Sequence, residues 1–179
     1  MTVEINAATG VSAVQPGSVQ SGDLAAGAIG SGDLPAGSVL QVVQTDSSTL
    51  VANSSNSFID TGLSASITPS SSSNKLLVII SQNVHSQGTG DGDHLASFRI
   101  VRESDVLRTY TAAFKTRFAT GADGFGFATA QVSLVHLDTP NTTSQITYKT
   151  EMKKDGTADL VSVAENNTPS TITLMEIAG

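Results

Sequence analysis

Apolar and polar positions from about residue 38 onward alternate in short runs, separated by clusters of Gly, Ser, Asn, Asp and Pro. That is the pattern of strands joined by turns. The clearest alternation sets Ile146, Tyr148, Thr150 and Met152 against Gln145, Thr147, Lys149 and Glu151, a half-buried antiparallel strand. KLLVII at 75–80 is apolar on both faces and predicts a central strand covered on both sides. Strands are predicted at 38–44, 57–60, 63–68, 75–84, 95–102, 106–114, 125–137, 145–153, 159–163 and 170–177. FRIVRESDVLRTY reads as a tight hairpin, and Lys154-Asp155-Gly156 as a turn between strands. AAFKTRFATG at 112–121 is the one candidate for a turn or two of helix, on the spacing of Phe114 and Phe118. The expected fold is all-β, with a head at 39–179 built as an antiparallel β-sandwich or jelly roll.

Ahead of the head the period changes. Residues 1–14 form an extended start, and residues 15–38 repeat every ten positions, with Ser-Gly-Asp-Leu at 21–24 and again at 31–34. Val14, Val19, Leu24, Ile29, Leu34 and Val39 fall five apart. This spacing matches neither a helix nor a strand. Six aliphatic side chains do not offset the ordering of so long a stretch of backbone. The segment is therefore a linker, or it is ordered by other chains. Regular aliphatics on a Gly/Ala background favour several identical chains packed about an axis, since small residues allow close approach. On this reading the six aliphatics are the contacts of a trimeric stalk, and a head that holds three copies together removes most of the association cost.

Charge separates the same two regions. The net charge is −7, yet residues 1–74 contain no Lys or Arg and all nine basic residues lie at or after Lys75. The acidic balance argues against nucleic acid or an anionic membrane as partners. Cysteine is absent, which excludes disulfides and thiolate chemistry. No apolar run is long enough for a transmembrane helix. The start MTVEINAATG has neither a basic region nor an apolar core, so the expectation is a soluble protein made in a cytoplasm.

Candidate chemistry is sparse. Asp91, Asp93 and His94 in GTGDGDH offer oxygens for Ca²⁺, but without the spacing or closing Glu of an EF-hand, so a solvated Gly-rich turn is the preferred reading. His85, His94 and His136 follow no metal-binding pattern, and no metal or other cofactor is expected. The carboxylates are scattered over turns rather than paired as in a glycosidase. There is no GxSxG elbow and no nucleotide-binding loop, so the chain reads as a non-enzyme. Phe125 and Phe127 flank Gly126 as a candidate aromatic platform for sugar; the competing reading puts at least one of them in the core or a subunit interface.

The start MTVEINAATGVSAV, the repeat GSVQSGDLAAGAIGSGDLPAGSVLQV and the head segments FIDTGLSASITPSSSSNKLLVIISQNV and STITLMEIAG together resemble bacteriophage virion fibres and other virion surface proteins, especially those of marine phages. The resemblance covers nearly the whole chain and rests on segment style. It implies an N-terminal arm that docks on other virion proteins of the tail or capsid. It further implies a short shaft and a homotrimeric head of tumour-necrosis-factor-like jelly-roll type. The implied function is host attachment within the virion, with Asp91, Asp93, His94, Phe125 and Phe127 as outer-loop contacts for a host glycan or protein. A capsid decoration protein that stabilises the shell is the alternative, and a carbohydrate-active enzyme a lesser one.

Overall fold

The computed structural model describes residues 30–89, 91–118 and 125–179. One compact unit runs from Ala36 to Gly179; the other ends at Pro35. In the latter, residues 30–35 are described and hold a single 3-10 turn, Ser31–Asp33, where the Gly30 N–H donates to Asp33 Oδ2 at 2.8 Å.

The larger unit is all-β. Its strands are β1 (Val39–Ser47), β2 (Val51–Asn53), β3 (Ile59–Ile67), β4 (Lys75–Gly88) and β5 (Gly92–Arg102), then β6 (Asp105–Phe118), β7 (Gly126–Asp138), β8 (Ile146–Gly156), β9 (Leu160–Val163) and β10 (Ser170–Ile177). All pairings are antiparallel. In the first sheet β7 occupies one edge of β4 along its length. The other edge is shared, by β10 along Lys75–Ser81 and β9 along His85–Gln87. Beyond them lie β1 and β2. The second sheet has the order β3-β8-β5-β6. Setting aside the short β2 and β9, the first strand pairs with the last, and the remaining strands pair inward in nested fashion. This is the jelly-roll order.

The sequence shows why these elements form. On β4, Leu76, Val78, Ile80 and Val84 point into the sandwich and are fully buried. They meet Phe98 and Ile100 of β5, Tyr148 and Met152 of β8, and Leu63 and Ile67 of β3 in one core. A polar thread crosses it. Thr150 Oγ1 donates to Gln82 Oε1 at 2.9 Å, and Gln82 Nε2 donates to Ser170 Oγ at 2.8 Å, so these buried groups are paired across the two sheets.

Four local readings change. The predicted strands at 57–60 and 63–68 are one strand, because Gly62 takes φ +78 in a bulge whose N–H is held by Asp60 Oδ1 at 2.8 Å. The three-residue β2 was absent from the predicted set. Residues 112–118 are strand rather than helix, with Phe114 in the core. Lys154 to Gly156 closes β8 rather than standing between strands. The hairpin at 102–105 forms as expected, with Glu103 at φ +53 in a two-residue turn.

One end of the sandwich is closed by a buried carboxylate. Glu176 Oε1 accepts from Asn74 Nδ2 (2.6 Å), Ser70 N (2.6 Å) and Ser70 Oγ (2.8 Å), and Oε2 accepts from Gln41 Nε2 (2.6 Å). Burial pushes this carboxyl up, but the donors outweigh it and hold it below its ordinary value of 4.5. A lowered carboxyl stabilises the fold above its unfolded value and loses that contribution as pH falls through the folded one. Glu176→Gln should therefore cost about 2 kcal/mol or more at neutral pH. In denaturant titrations it should also flatten the acid limb of the stability profile below about pH 4.5.

Candidate functional site

The registers of β4 divide its outward side chains into two regions. Toward Lys75 the cross-strand row is Val42, Met175, Leu77 and Leu137, followed by Gln44, Thr173, Ile79 and Val135. Toward Gly88 the row is His85 beside Thr129, then Gln87 beside Phe127. KLLVII is thus covered on one side only within the described residues: Leu77 and Ile79 are half-buried on the outer face.

The Gly88 end carries the aromatic group. Phe127 is 63% exposed and stacks on the buried His85 ring at 5.8 Å between centroids. Phe125, also exposed, lies 6.3 Å from Phe127. His85 is locked in place through Nδ1, 3.0 Å from Thr129 Oγ1, and Nε2, 3.3 Å from Gln87 Oε1. Neither Phe enters the core. The alternation of β7 forces this result: Gly126, Ala128 and Ala130 point inward, so Phe127 points out. Sequence reasoning placed Phe127 in a candidate platform but gave no part to His85 beneath it. The period-2 register between His85 on β4 and Phe127 on β7 is the signal that links them.

The acidic loop divides. Asp91 is exposed. Asp93, the second residue of β5, forms an ion pair with Lys115 Nζ at 2.9 Å; that hydrogen bond holds its carboxyl below the ordinary value. Thr157 N donates to the Asp93 carbonyl at 2.9 Å, tying this segment to the chain after β8. GTGDGDH is therefore only in part a solvated turn, since strands reach Gly88 and resume at Gly92. His94 corrects the expectation of a surface contact. It is fully buried on the inner face of β5, packed over Gly88, and offers nothing to a receptor. Among the described residues no three His, Asp or Glu side chains gather as a metal-holding group.

Of the expected stalk positions, Val14, Val19, Leu24 and Ile29 lie outside the described residues. Leu34 follows the 3-10 turn and is exposed. Val39 opens β1 beside Ile177 and is 51% exposed.

Strand order and site together define a jelly-roll head with an aromatic rim at one end. No known family matches the chain, and no curated protein matches it in sequence. Among solved structures it is similar to the VP2 subviral particle of infectious bursal disease virus, at 17% identity and TM-score 0.35 over 78% of this chain and 38% of that one. It is similar to the Gx strain of the same virus at 17% identity and TM-score 0.38, over 78% and 37%. Dimeric latent PorU from Porphyromonas gingivalis matches at 7% identity and TM-score 0.35, over 80% and 14%. The chain thus spans well under half the length of each of these proteins.

A substitution pair separates support from display at this end. A Cβ on Gly88 would fall 2.4 Å from His94 Cε1, so Gly88→Ala should destabilise the head by about 1–3 kcal/mol in chemical denaturation. Phe127→Ala, on the exposed side of the same sheet, should change stability by less than about 1 kcal/mol.

Proposed function

We propose that this chain is a structural protein of a bacteriophage virion, a short homotrimeric fibre bound to the particle through its N-terminal segment. Its jelly-roll head meets the host surface. The observation that carries this reading is the polarity of the head along β4. The chain leads into β1 at Val39, which lies beside Ile177, and Ile177 pairs with Lys75 at the start of β4. The exposed Phe125 and Phe127, with the loop carrying Asp91, are at the other end, around Gly88. A strand of 14 residues separates these ends by roughly 40 Å. A head that the chain enters at one end and that exposes aromatic rings at the other suits display. The five-residue aliphatic beat ahead of Val39 supports an oligomer, in which weak contacts at each rim add up through avidity.

On this reading the Phe125/Phe127 rim is the contact surface, with sugar rings or apolar protein side chains stacking on it. The action is binding, without turnover. Particles lacking this protein should keep their heat stability and lose host adsorption; a shell that weakens while adsorption persists would instead identify a capsid decoration protein. Phe125→Ala/Phe127→Ala particles should carry normal amounts of the protein and adsorb at least about tenfold less, a loss near 1.4 kcal/mol in summed binding. Normal adsorption by these particles would remove the aromatic rim from the reading.

A further inference from the structure

We propose that copies of this head pack against one another through the outer face of the first sheet, at the patch formed by Val42, Met175, Leu77, Ile79, Val135 and Leu137. The occupant is a second copy of this chain. The proposal deepens the oligomeric part of the function proposed above by assigning it a surface.

Three observations converge on this face. The first is the contrast between the two sheets. The outer side of the second sheet is charged and internally paired: Arg99 with Glu151, Lys149 with Asp60, Lys153 with Asp155, and Lys115 with Asp93. Arg99 and Lys153 also lie over the Phe58 ring. That face is dressed for water. The outward positions of β1, β10, β4 and β7 carry only two charges, Asp46 and Lys75, both at the margins of the patch. Depletion of charge over a contiguous apolar area is the mark of an interface centre rather than of a solvated sheet.

The second observation is the composition of β4. An antiparallel sheet with one wet face alternates apolar and polar residues. β4 does not do so between Leu76 and Ile80, where both faces are aliphatic, and β7 and β1 add Leu137 (52% exposed) and Val42 (53% exposed) on the same side. In the Leu77 row all four strands are apolar outward, and in the Ile79 row β4 and β7 remain so while β1 and β10 carry Gln44 and Thr173. For a chain with net charge −7, like-charge repulsion opposes self-association, and it is weakest at a face without charge.

The third is continuity with the repeat. Val39 is the last of the aliphatics spaced by five, and it is also an exposed outer-face neighbour of the patch, beside Ile177. The apolar series of residues 15–38 runs in sequence directly into the patch that the described residues leave uncovered. Identical copies aligned by one would be aligned by the other.

The chain has no cysteine, so single Cys variants report exposure without background. Val42→Cys and Leu137→Cys probe the patch; Val106→Cys, at 47% exposure on the β5–β6 hairpin, is the reference. In the purified 179-residue chain we expect a native mass of an oligomer, with thiol labelling at 42 and 137 slower than at 106 by about tenfold or more. Leu137→Lys should yield folded monomers with an unaltered far-UV spectrum, whose melting temperature is lower than that of the oligomer and independent of protein concentration. A monomer mass for the unaltered chain overturns the proposal. So does an oligomer in which 42 and 137 label as fast as 106, since the contacts then lie elsewhere. Slow labelling in a monomer also overturns it, by assigning the cover to the chain's own segment before residue 30. None of these readouts involves a particle, so a failed virion assignment and a failed interface are told apart.

Discussion

The head depends on the placement of β10. This strand lies between β1, from the beginning of the domain, and β4. Its residues Ile172 and Leu174 fill the core while Glu176 anchors the donors of Asn74, Ser70 and Gln41. No smaller part of the chain reproduces this arrangement, because the pairing of first with last strand encloses all the others. The entropy of closing so long a loop is met before the ladder forms, which puts the fold among slow, strongly cooperative topologies. The carboxylate at the end of β10 joins the last strand to the β3–β4 connection and to β1 in a single cluster.

The nested pairing also gives the two sheets different surfaces. β5 and β8 lie side by side in the second sheet, and their outward Arg99 and Glu151 stand opposite each other in register. Asp60 extends this row through Lys149. On the first sheet the same alternation brings aliphatics out at one end and a His–Phe stack at the other, with Ser81, Ser133 and Gln131 between them. One sheet face therefore carries two chemically distinct regions separated by a polar middle.

Most strands were legible from alternation alone, and the reason is local: Tyr148 and Met152 are buried every second residue, and turn residues mark the gaps. The misreadings were tertiary in origin. Thr61-Gly62 carries the signature of a turn, but Asp60 and the neighbouring β8 convert it to a bulge. β2 is too short for any period to register, and it is held by Asn53, whose Nδ2 donates to the Met152 carbonyl at 3.0 Å. His94 has a polar, Gly-rich sequence context, yet the glycine at 88 leaves a space across the sandwich that the imidazole fills. KLLVII is apolar on both faces, as its sequence shows, but the described residues cover only the inner one; alternation reports the character of a face and not what lies against it. For the site, Phe125 and Phe127 were visible as an aromatic pair; the support of Phe127 by His85 required knowledge of which strands are neighbours.

The separation of Val39 from Phe127 has an evolutionary consequence. The exposed Phe125 and Phe127 lie at the start of β7, at the terminus of its ladder with β4. Substitutions and length changes there leave the enclosing β1–β10 pairing and the Glu176 cluster untouched. A lineage carrying this head can therefore vary its exposed aromatic end one residue at a time, while selection on folding acts on the opposite end. The surface chemistry of one end is thereby uncoupled from the packing that holds the other.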